Sequence, residues 1–137
     1  MQSINKLILA LFATSGLVSA APATSPLSAL ASRQTMSGDL TYYTPGLGAC
    51  GVYSGEEDAV VALSWQLFDP YTPNGNPNNN SLCGKKIHIS LGGKKATVTV
   101  ADRCTGCQLD DLDVPVKVFA SLADPDVGRT KMTWTWA

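Results

Sequence analysis

The sequence is poor in histidine and has no excess of charge of either sign. Its 137 residues include ten basic side chains, eleven acidic ones and one histidine, for a formal net charge of −1. This composition excludes a strongly electropositive nucleic-acid-binding protein and leaves little room for a histidine-based metal site or a Ser-His-Asp triad. No apolar run reaches the roughly 20 residues of a membrane-spanning helix. We therefore expect no nucleic-acid or membrane partner, no metal and no cofactor.

The longest apolar run lies at the start of the chain and is typical of a secretory signal peptide. Lys6 precedes an apolar stretch of roughly 12 residues, which is too short to span a membrane. The stretch ends at Val18-Ser19-Ala20, the small-x-small pattern that signal peptidase cleaves. We predict a signal peptide over 1–20 and a secreted, extracellular protein.

The next segment, 21–37, consists mostly of Ala, Ser, Pro and Thr. Such a composition buries too little apolar surface to offset chain entropy, so we interpret it as a disordered leader or propeptide. The rest of the chain, 38–137, is short enough to fold around a single core. It is predicted to form one domain.

Two alternating runs within Lys85–Asp102 predict a β-hairpin. Apolar and polar residues alternate on both sides of Gly92-Gly93, and two glycines suit a two-residue turn with positive φ. This turn pairs Ile87 with Val98, which places the apolar residues of both strands on one face.

Other segments complete a mostly β domain with one short helix. Strands are predicted at Leu40–Tyr43, at Val60–Ser64 and along Met132–Trp136, which are rich in aromatic or β-branched residues. Only Val114–Ala123 has a helical pattern, with Pro115 near its first turn and an apolar stripe after it.

The segment Pro73–Ser81 contains five asparagines and is predicted to be an exposed loop. Within it, Asn79-Asn80-Ser81 forms a glycosylation sequon, so Asn79 is a candidate for glycosylation.

Four cysteines, Cys50, Cys83, Cys104 and Cys107, form an even set, and disulfides are the expected state in an exported chain. Three connectivities are possible and the sequence does not select one. We favour Cys50–Cys83 with Cys104–Cys107, because each bond then closes one irregular loop. The alternatives are a thioredoxin-like redox pair and a four-cysteine zinc site. No helical pattern follows the single C-x-x-C, and structural zinc sites usually contain two such pairs.

Two aspartates lie at the ends of predicted elements. Asp102 ends the second strand of the hairpin, and Asp113 lies between two apolar residues. A carboxyl group in a partly desolvated junction has a raised pKa and can act as a general acid. Alternatively, Asp102 caps the following turn and Asp113 caps the predicted helix. The spacing leaves both interpretations open.

Several motifs resemble, in the same order, the single-domain fungal expansin-like proteins called loosenins. They are Gly38-Asp-Leu-Thr-Tyr-Tyr-Thr-Pro-Gly-Leu-Gly-Ala-Cys-Gly51, Cys83-Gly-Lys-Lys, Val98-Thr-Val-Ala-Asp-Arg-Cys-Thr-Gly-Cys107, Leu112-Asp-Val and Gly128-Arg. Loosenins are grouped with barwin, plant expansins, rare lipoprotein A-like proteins and family-45 endoglucanases. The resemblance covers 38–137 and implies a six-stranded double-psi β-barrel with one or two short helices, two disulfides and a shallow groove for a polysaccharide.

The resemblance also implies which residues line that groove. Asp113 matches the aspartate that expansins require for wall loosening, and Asp102 matches the aspartate that opens their Asp-Arg turn. Thr41, with Tyr42 or Tyr43, matches the threonine and tyrosine of their first strand. We expect Thr41, Asp102 and Asp113 to form a polar floor and Tyr43 to form a stacking wall.

Efficient hydrolysis is not expected. The inverting endoglucanases of this group need one carboxyl acid and one carboxylate base. Asp113 matches the acid, but the position of the base is Thr44, whose hydroxyl cannot act as a general base near neutral pH. The resemblance therefore implies a secreted monomer that binds cellulose, chitin or another β-glucan and loosens it without cleavage.

Two alternatives remain open. One is a barwin-like module that binds a protein target, such as a protease. The other is a weak endoglucanase in which Glu56, Glu57 or Asp58 supplies the missing base.

Overall fold

Six segments with alternating or continuous apolar residues form strands that close into a barrel. The computed structural model describes residues 35–137. The strands are β1 (Met36–Tyr43), β2 (Val60–Ser64), β3 (Lys86–Leu91), β4 (Lys94–Cys104), β5 (Leu112–Pro115) and β6 (Arg129–Trp136). Helix α1 (Trp65–Phe68) follows β2, and helix α2 (Val116–Leu122) follows β5.

The strands lie in the order β1-β5-β2-β4-β3-β6 around the closed barrel. The pairs β1–β5 and β2–β4 are parallel, and the remaining four pairs are antiparallel. The predicted mostly β, six-stranded barrel with one or two short helices is confirmed, and residues 35–137 contain two short α-helices. The signal peptide predicted over 1–20 lies outside the described residues, as does the predicted leader up to residue 34.

Large apolar side chains from all six strands fill the barrel, and Phe119 of α2 is buried against this core. Trp134 and Trp136 of β6 point into the core, as their alternation with threonines indicates, and their rings meet edge to face at 5.3 Å. Within residues 35–137, no helix has both the length and the apolar character that crossing a membrane requires.

The predicted hairpin forms in the predicted register. Ile87 pairs with Val98 and His88 with Thr97, and the turn lies at Gly92-Gly93, where both glycines have positive φ. The strand predictions at Val60–Ser64 and Met132–Trp136 are also confirmed, although β6 begins earlier, at Arg129.

The first strand begins earlier than predicted. β1 starts at Met36 instead of Leu40, so its first two residues fall inside the segment interpreted as a leader. Met36 is buried and pairs with Trp134, and this apolar contact extends the strand beyond the boundary that composition indicates.

The helix prediction at Val114–Ala123 is wrong at its start. Leu112–Pro115 is strand β5, and helix α2 begins only at Val116. Leu112 and Val114 are buried on one side of the strand and Asp113 points to the other, a short alternation that the following helical pattern conceals. Asp113 is therefore not a helix cap, because Pro115 occupies that position without a side-chain cap.

The asparagine-rich segment is less uniform than predicted. Most of Pro73–Ser81 is exposed, but Asn80 is buried. The Nδ2 atom of Asn80 donates to the carbonyl of Phe68 and to the hydroxyl of Thr72, while its Oδ1 accepts from the N–H of Leu82. These bonds hold the segment against the barrel.

Candidate functional site

A row of paired residues crosses five neighbouring strands and forms the floor of the candidate site. Arg129 pairs with Thr41, Thr41 pairs with Asp113, and Asp113 pairs with Ala62. Ala62 pairs on its other side with Asp102. Directly paired residues project their side chains to the same face of a sheet, so the row lies together on the outer surface of the barrel.

One strand, β2, separates the two aspartates of the floor. Asp113 and Asp102 stand on the two strands that flank β2, and the residue between them is the small, buried Ala62. With neighbouring strands about 4.8 Å apart, the backbones of the two aspartates are separated by about 10 Å. Ala62 itself is almost fully covered, with 2% of its surface exposed.

Asp113 is half-buried and is held by a hydroxyl group. The Oγ1 atom of Thr41 donates to the Oδ1 atom of Asp113 at 3.0 Å. Burial raises the pKa of Asp113 above its ordinary value, and this effect outweighs the opposing effects of the Thr41 hydrogen bond and the charge of Arg129. The negative charge of Asp102 acts in the same direction as burial.

Asp102 anchors the neighbouring loop to the floor. Its Oδ1 atom accepts hydrogen bonds from the backbone N–H of Ala49, at 2.9 Å, and of Arg103, at 2.8 Å. Tyr43 lies on the same side of β1 as Thr41. Burial, followed by the charges of Asp102 and Asp113, raises the pKa of the Tyr43 phenol far above its ordinary value. Tyr43 is therefore a neutral hydrogen-bond donor beside two carboxylates at any physiological pH.

A disulfide loop forms one wall of the site. Cys104 and Cys107 are bonded to each other, and the Sγ atom of Cys104 lies 4.0 Å from the Oδ2 atom of Asp113. This contact is van der Waals packing, since a disulfide sulfur has no hydrogen to donate. The loop and the floor enclose an open depression of about 350 Å³, lined by Thr41, Arg103, Cys104, Thr105, Gly106, Cys107, Asp113 and Arg129.

Arg129 also lies at the candidate site, although the sequence shows it only as part of the Gly128-Arg motif. Its guanidinium group donates to the Oδ2 atom of Asp39 at 3.0 Å and lies 3.8 Å from the Oδ2 atom of Asp111. These carboxylates hold the cation at the end of the floor, next to Thr41. Arg129 reaches this position because β6 pairs with β1 in this register. The local sequence around Arg129 does not predict that pairing.

The structure places Tyr42 apart from the other predicted site residues. Tyr42 alternates with Thr41 and Tyr43 along β1 and faces away from the floor. Its ring packs edge to face on Phe119, with the ring centroids 4.9 Å apart, and its hydroxyl donates to the carbonyl of Pro125. The same alternation places Tyr43 on the face of Thr41, although Tyr43 is not among the residues that line the depression.

Thr44, which the resemblance places at the position of the base, lies beside the acidic segment 56–58. Thr44 is exposed, and its Oγ1 atom donates to the Oε1 atom of Glu56 at 3.4 Å. The two neighbouring acids are engaged elsewhere, because Glu57 forms an exposed ion pair with Lys117 and Asp58 accepts from the N–H of Gly55. Glu56 is thus the acid of this group that contacts Thr44.

The favoured disulfide pairing is confirmed, with Cys50 bonded to Cys83 in addition to the Cys104–Cys107 bond. The first bond braces the loop from Gly46 to Ser54 against the barrel. A Cβ atom at Gly48 would lie 2.3 Å from the carbonyl oxygen of Ala101, so only glycine allows the loop to approach β4 this closely.

Two further candidates lie outside the groove. Asn79 is exposed, which leaves its side-chain amide accessible to glycosylation. His88, the single histidine of the sequence, is exposed, and its Nδ1 atom contacts the hydroxyl of Thr97 at 2.9 Å. Within residues 35–137, no group of three or more His, Cys, Asp or Glu side chains is arranged to hold a metal ion.

Comparison with known proteins identifies the group to which this barrel belongs. No family model matches the sequence. The Streptomyces papain inhibitor has a solved structure that is 34% identical and superimposes with a TM-score of 0.68, over 76% of this chain and 94% of the inhibitor. The chain belongs to the barwin-like, rare lipoprotein A-like family of expansin-like double-psi β-barrels. The expected double-psi barrel is thereby confirmed.

Other proteins similar to this barrel include a fungal allergen homolog and a bacterial expansin. "Allergen Asp f 7 homolog" of Arthroderma benhamiae is 42% identical over 87 residues, which are 62% of this chain and 28% of the allergen homolog. The chain spans about a third of the length of this allergen homolog and of Allergen Asp f 7 of Aspergillus fumigatus, which it also matches. An expansin of Clavibacter michiganensis, solved alone and as a variant in complex with cellohexaose, shares the fold. It has 22% identity and a TM-score of 0.60, over 76% of this chain and 50% of the expansin.

Proposed function

We propose that this protein is a secreted expansin-like protein that binds a cell-wall polysaccharide, namely cellulose, chitin or another β-glucan, and loosens it without cleaving it. The ligand binds across the row of Thr41, Asp113 and Asp102, with Tyr43 beside it. The disulfide loop of Cys104 flanks the ligand on one side. No covalent step is involved, since loosening replaces contacts between polymer chains with contacts to the protein.

The observation that carries this proposal is the position of Asp113. It is half-buried in the floor of an open depression, holds a hydrogen bond from Thr41 and has a raised pKa. A carboxyl group in this setting can both accept and donate hydrogen bonds to sugar hydroxyls, depending on its protonation. The expansin that superimposes on this barrel has been solved with cellohexaose, which supports a glycan ligand.

The same geometry argues against efficient hydrolysis. Inverting hydrolysis requires a carboxylate base across the cleaved bond from the acid. Thr44 occupies the position of the base, and Asp102 already accepts two backbone hydrogen bonds through one oxygen. Glu56 contacts Thr44 at 3.4 Å from an exposed loop, so it is the side chain to substitute when hydrolysis is tested.

The proposal is tested by depleting the protein from solution with insoluble cellulose, chitin and β-1,3-glucan. We expect one polymer to remove the wild-type protein and to remove Asp113→Asn at least tenfold less effectively. The control is Lys117→Gln, which breaks an exposed ion pair away from the groove and is expected to bind like the wild type. Absence of binding to every polymer, or equal binding by the Asp113→Asn variant, would contradict the proposed site.

A second candidate function is binding to a protease, favoured by the loop from Gly46 to Ser54. The loop exposes Leu47, Val52 and Tyr53, whose relative exposures are 61%, 57% and 79%. The Cys50–Cys83 bond and backbone hydrogen bonds across the loop hold these apolar side chains outward. The relative with 34% identity is a papain inhibitor, which supports this candidate.

Inhibition of papain by the purified protein tests the second candidate. We expect a protease-binding loop to lose inhibition at least tenfold in Leu47→Asp, while Asp113→Asn inhibits like the wild type. Lack of inhibition by the wild-type protein at micromolar concentration would remove papain-like proteases as the target.

A further inference from the structure

A second depression lies next to the groove and shares a wall with it. It has a volume of about 450 Å³ and is lined by Asp69, Thr72, Gly75, Pro77 and Arg103. Arg103 also lines the depression over Asp113, so the two hollows meet at its side chain. Volumes of this size lie within the range of small-molecule binding sites.

The shared wall is held in place by an ion pair. The Nε and Nη2 atoms of Arg103 donate to the two carboxylate oxygens of Asp69, each at 2.6 Å. This planar, two-bond arrangement fixes the guanidinium group and uses two of its five N–H donors. The remaining donors and the free lone pairs of Asp69 are available to sugar hydroxyls on either side of the wall.

The far side of the second depression is also rigid. Thr72 is fixed by the buried Asn80, which donates to its hydroxyl at 2.9 Å. Pro77 begins a short turn that is capped by the Asn76 side chain, and its ring adds an apolar surface to the polar groups of the hollow. Fixed planar polar groups beside a small apolar face match the alternating hydroxyl and C–H surfaces of a pyranose ring.

We infer that the Asp69–Arg103 depression is an additional glycan subsite, which extends the groove beyond Asp113 onto the asparagine-rich segment. This inference rests on the proposed polysaccharide-binding function. A glycan that covers both hollows binds across Arg103, with sugar units on the floor of Thr41 and Asp113 and further units against Asp69 and Pro77. Short oligosaccharides occupy only one hollow.

The experiment compares soluble oligosaccharides of three and six units, from both the cellulose and the chitin series, by calorimetric titration of the full chain. We expect six units to bind at least tenfold more tightly than three in the series that binds. Asp69→Ala removes the acceptors of the second hollow, so we expect it to lose most of this gain while affinity for three units changes less than twofold.

A second variant adds bulk without straining the fold. Gly75 has a φ of +68°, no atom lies within 4 Å of a Cβ built there, and asparagine tolerates this conformation. Gly75→Asn is therefore expected to fold normally and to reduce the increase in affinity from three to six sugar units. Lys117→Gln, which lies outside both hollows, is the matched control and is expected to keep the full gain.

The outcomes distinguish this inference from the proposed function. Equal affinity for three and six units in the wild type, or an undiminished gain in Asp69→Ala, would overturn the subsite and leave polysaccharide binding intact. Failure of every oligosaccharide to bind would overturn both.

Discussion

Removing the two disulfides one at a time is expected to show that one mainly stabilises the barrel and the other mainly supports binding in the groove. Cys50 and Cys83 are 33 residues apart in sequence, whereas Cys104 and Cys107 are three residues apart. From the entropy of loop closure in the unfolded chain, the long loop contributes about 3.7 kcal/mol to the free energy of unfolding and the short loop about 1.6 kcal/mol. For a domain of this size, these losses correspond to decreases in Tm of about 15–30 °C and about 6–13 °C.

The loss of polymer binding is expected to be larger for the disulfide whose removal costs less stability. Cys104 contacts Asp113 and lines the groove, whereas Cys50 and Cys83 are absent from its lining. The Cys104→Ala/Cys107→Ala variant should therefore lose more affinity for the polymer, at least tenfold, although it loses less stability.

The assay is urea unfolding followed by the fluorescence of the buried tryptophans, with polymer depletion measured on the same preparations. A greater loss of stability in Cys104→Ala/Cys107→Ala than in Cys50→Ala/Cys83→Ala would refute the loop-closure reasoning. Unchanged binding in the Cys104→Ala/Cys107→Ala variant would refute the placement of the groove wall.

Three further substitutions test individual contacts. Because burial raises the pKa of Asp113, the protonated acid stabilises the fold below its unfolded pKa of about 3.9, and this contribution is lost as the pH rises. In thermal unfolding, the stability of Asp113→Asn relative to the wild type should therefore increase as the pH rises from about 3 to about 7. A difference in Tm between the two proteins that stays constant over this range would contradict the raised pKa of Asp113. Thr41→Val should lose about 1 kcal/mol in urea unfolding at pH 7 through its hydrogen bond to Asp113, with Thr41→Ser as the control that retains the hydroxyl. Asn80→Ala should lower the free energy of unfolding by about 2–3 kcal/mol, because it leaves buried backbone groups without partners. Asn79→Ala, at the exposed neighbouring position, should change it by less than about 0.5 kcal/mol. Equal effects of the two substitutions would contradict the bracing role of Asn80.

Elements fixed by local periodicity could be predicted from the sequence. The hairpin around Gly92-Gly93 has a two-residue turn and two alternating strands, and together these admit one register that buries the apolar side chains. The alternation in β6 likewise identifies Trp134 and Trp136 as core residues.

Elements that depend on distant partners could not be predicted in this way. β5 has only four residues, and its strand conformation is stabilised by pairing with β1 and β2, which are remote in sequence. The start of β1 at Met36 likewise depends on its pairing with β6. Local patterns therefore assigned Val114 and Pro115, the last two residues of β5, to the start of a helix.

The candidate site was only partly accessible to sequence reasoning. The resemblance to loosenins identified Thr41, Asp102 and Asp113, but their common position follows from strand pairing through Ala62. The same pairing brings Arg129 to Thr41. Alternation along β1 places only one of the two tyrosines on the face of Thr41. The structure shows that this tyrosine is Tyr43, because the ring of Tyr42 packs on α2.

The most direct test of the central claim measures mechanical weakening and bond cleavage together. Sheets of the polymer that binds the protein are incubated with wild type, Asp113→Asn and Glu56→Gln, and tensile strength and released reducing sugars are recorded from the same samples. The account predicts that wild type and Glu56→Gln weaken the sheets without releasing sugars above the protein-free control, and that Asp113→Asn does not weaken them. Weakening that occurs only with sugar release, and that both substitutions abolish, would contradict it and identify the protein as a hydrolase.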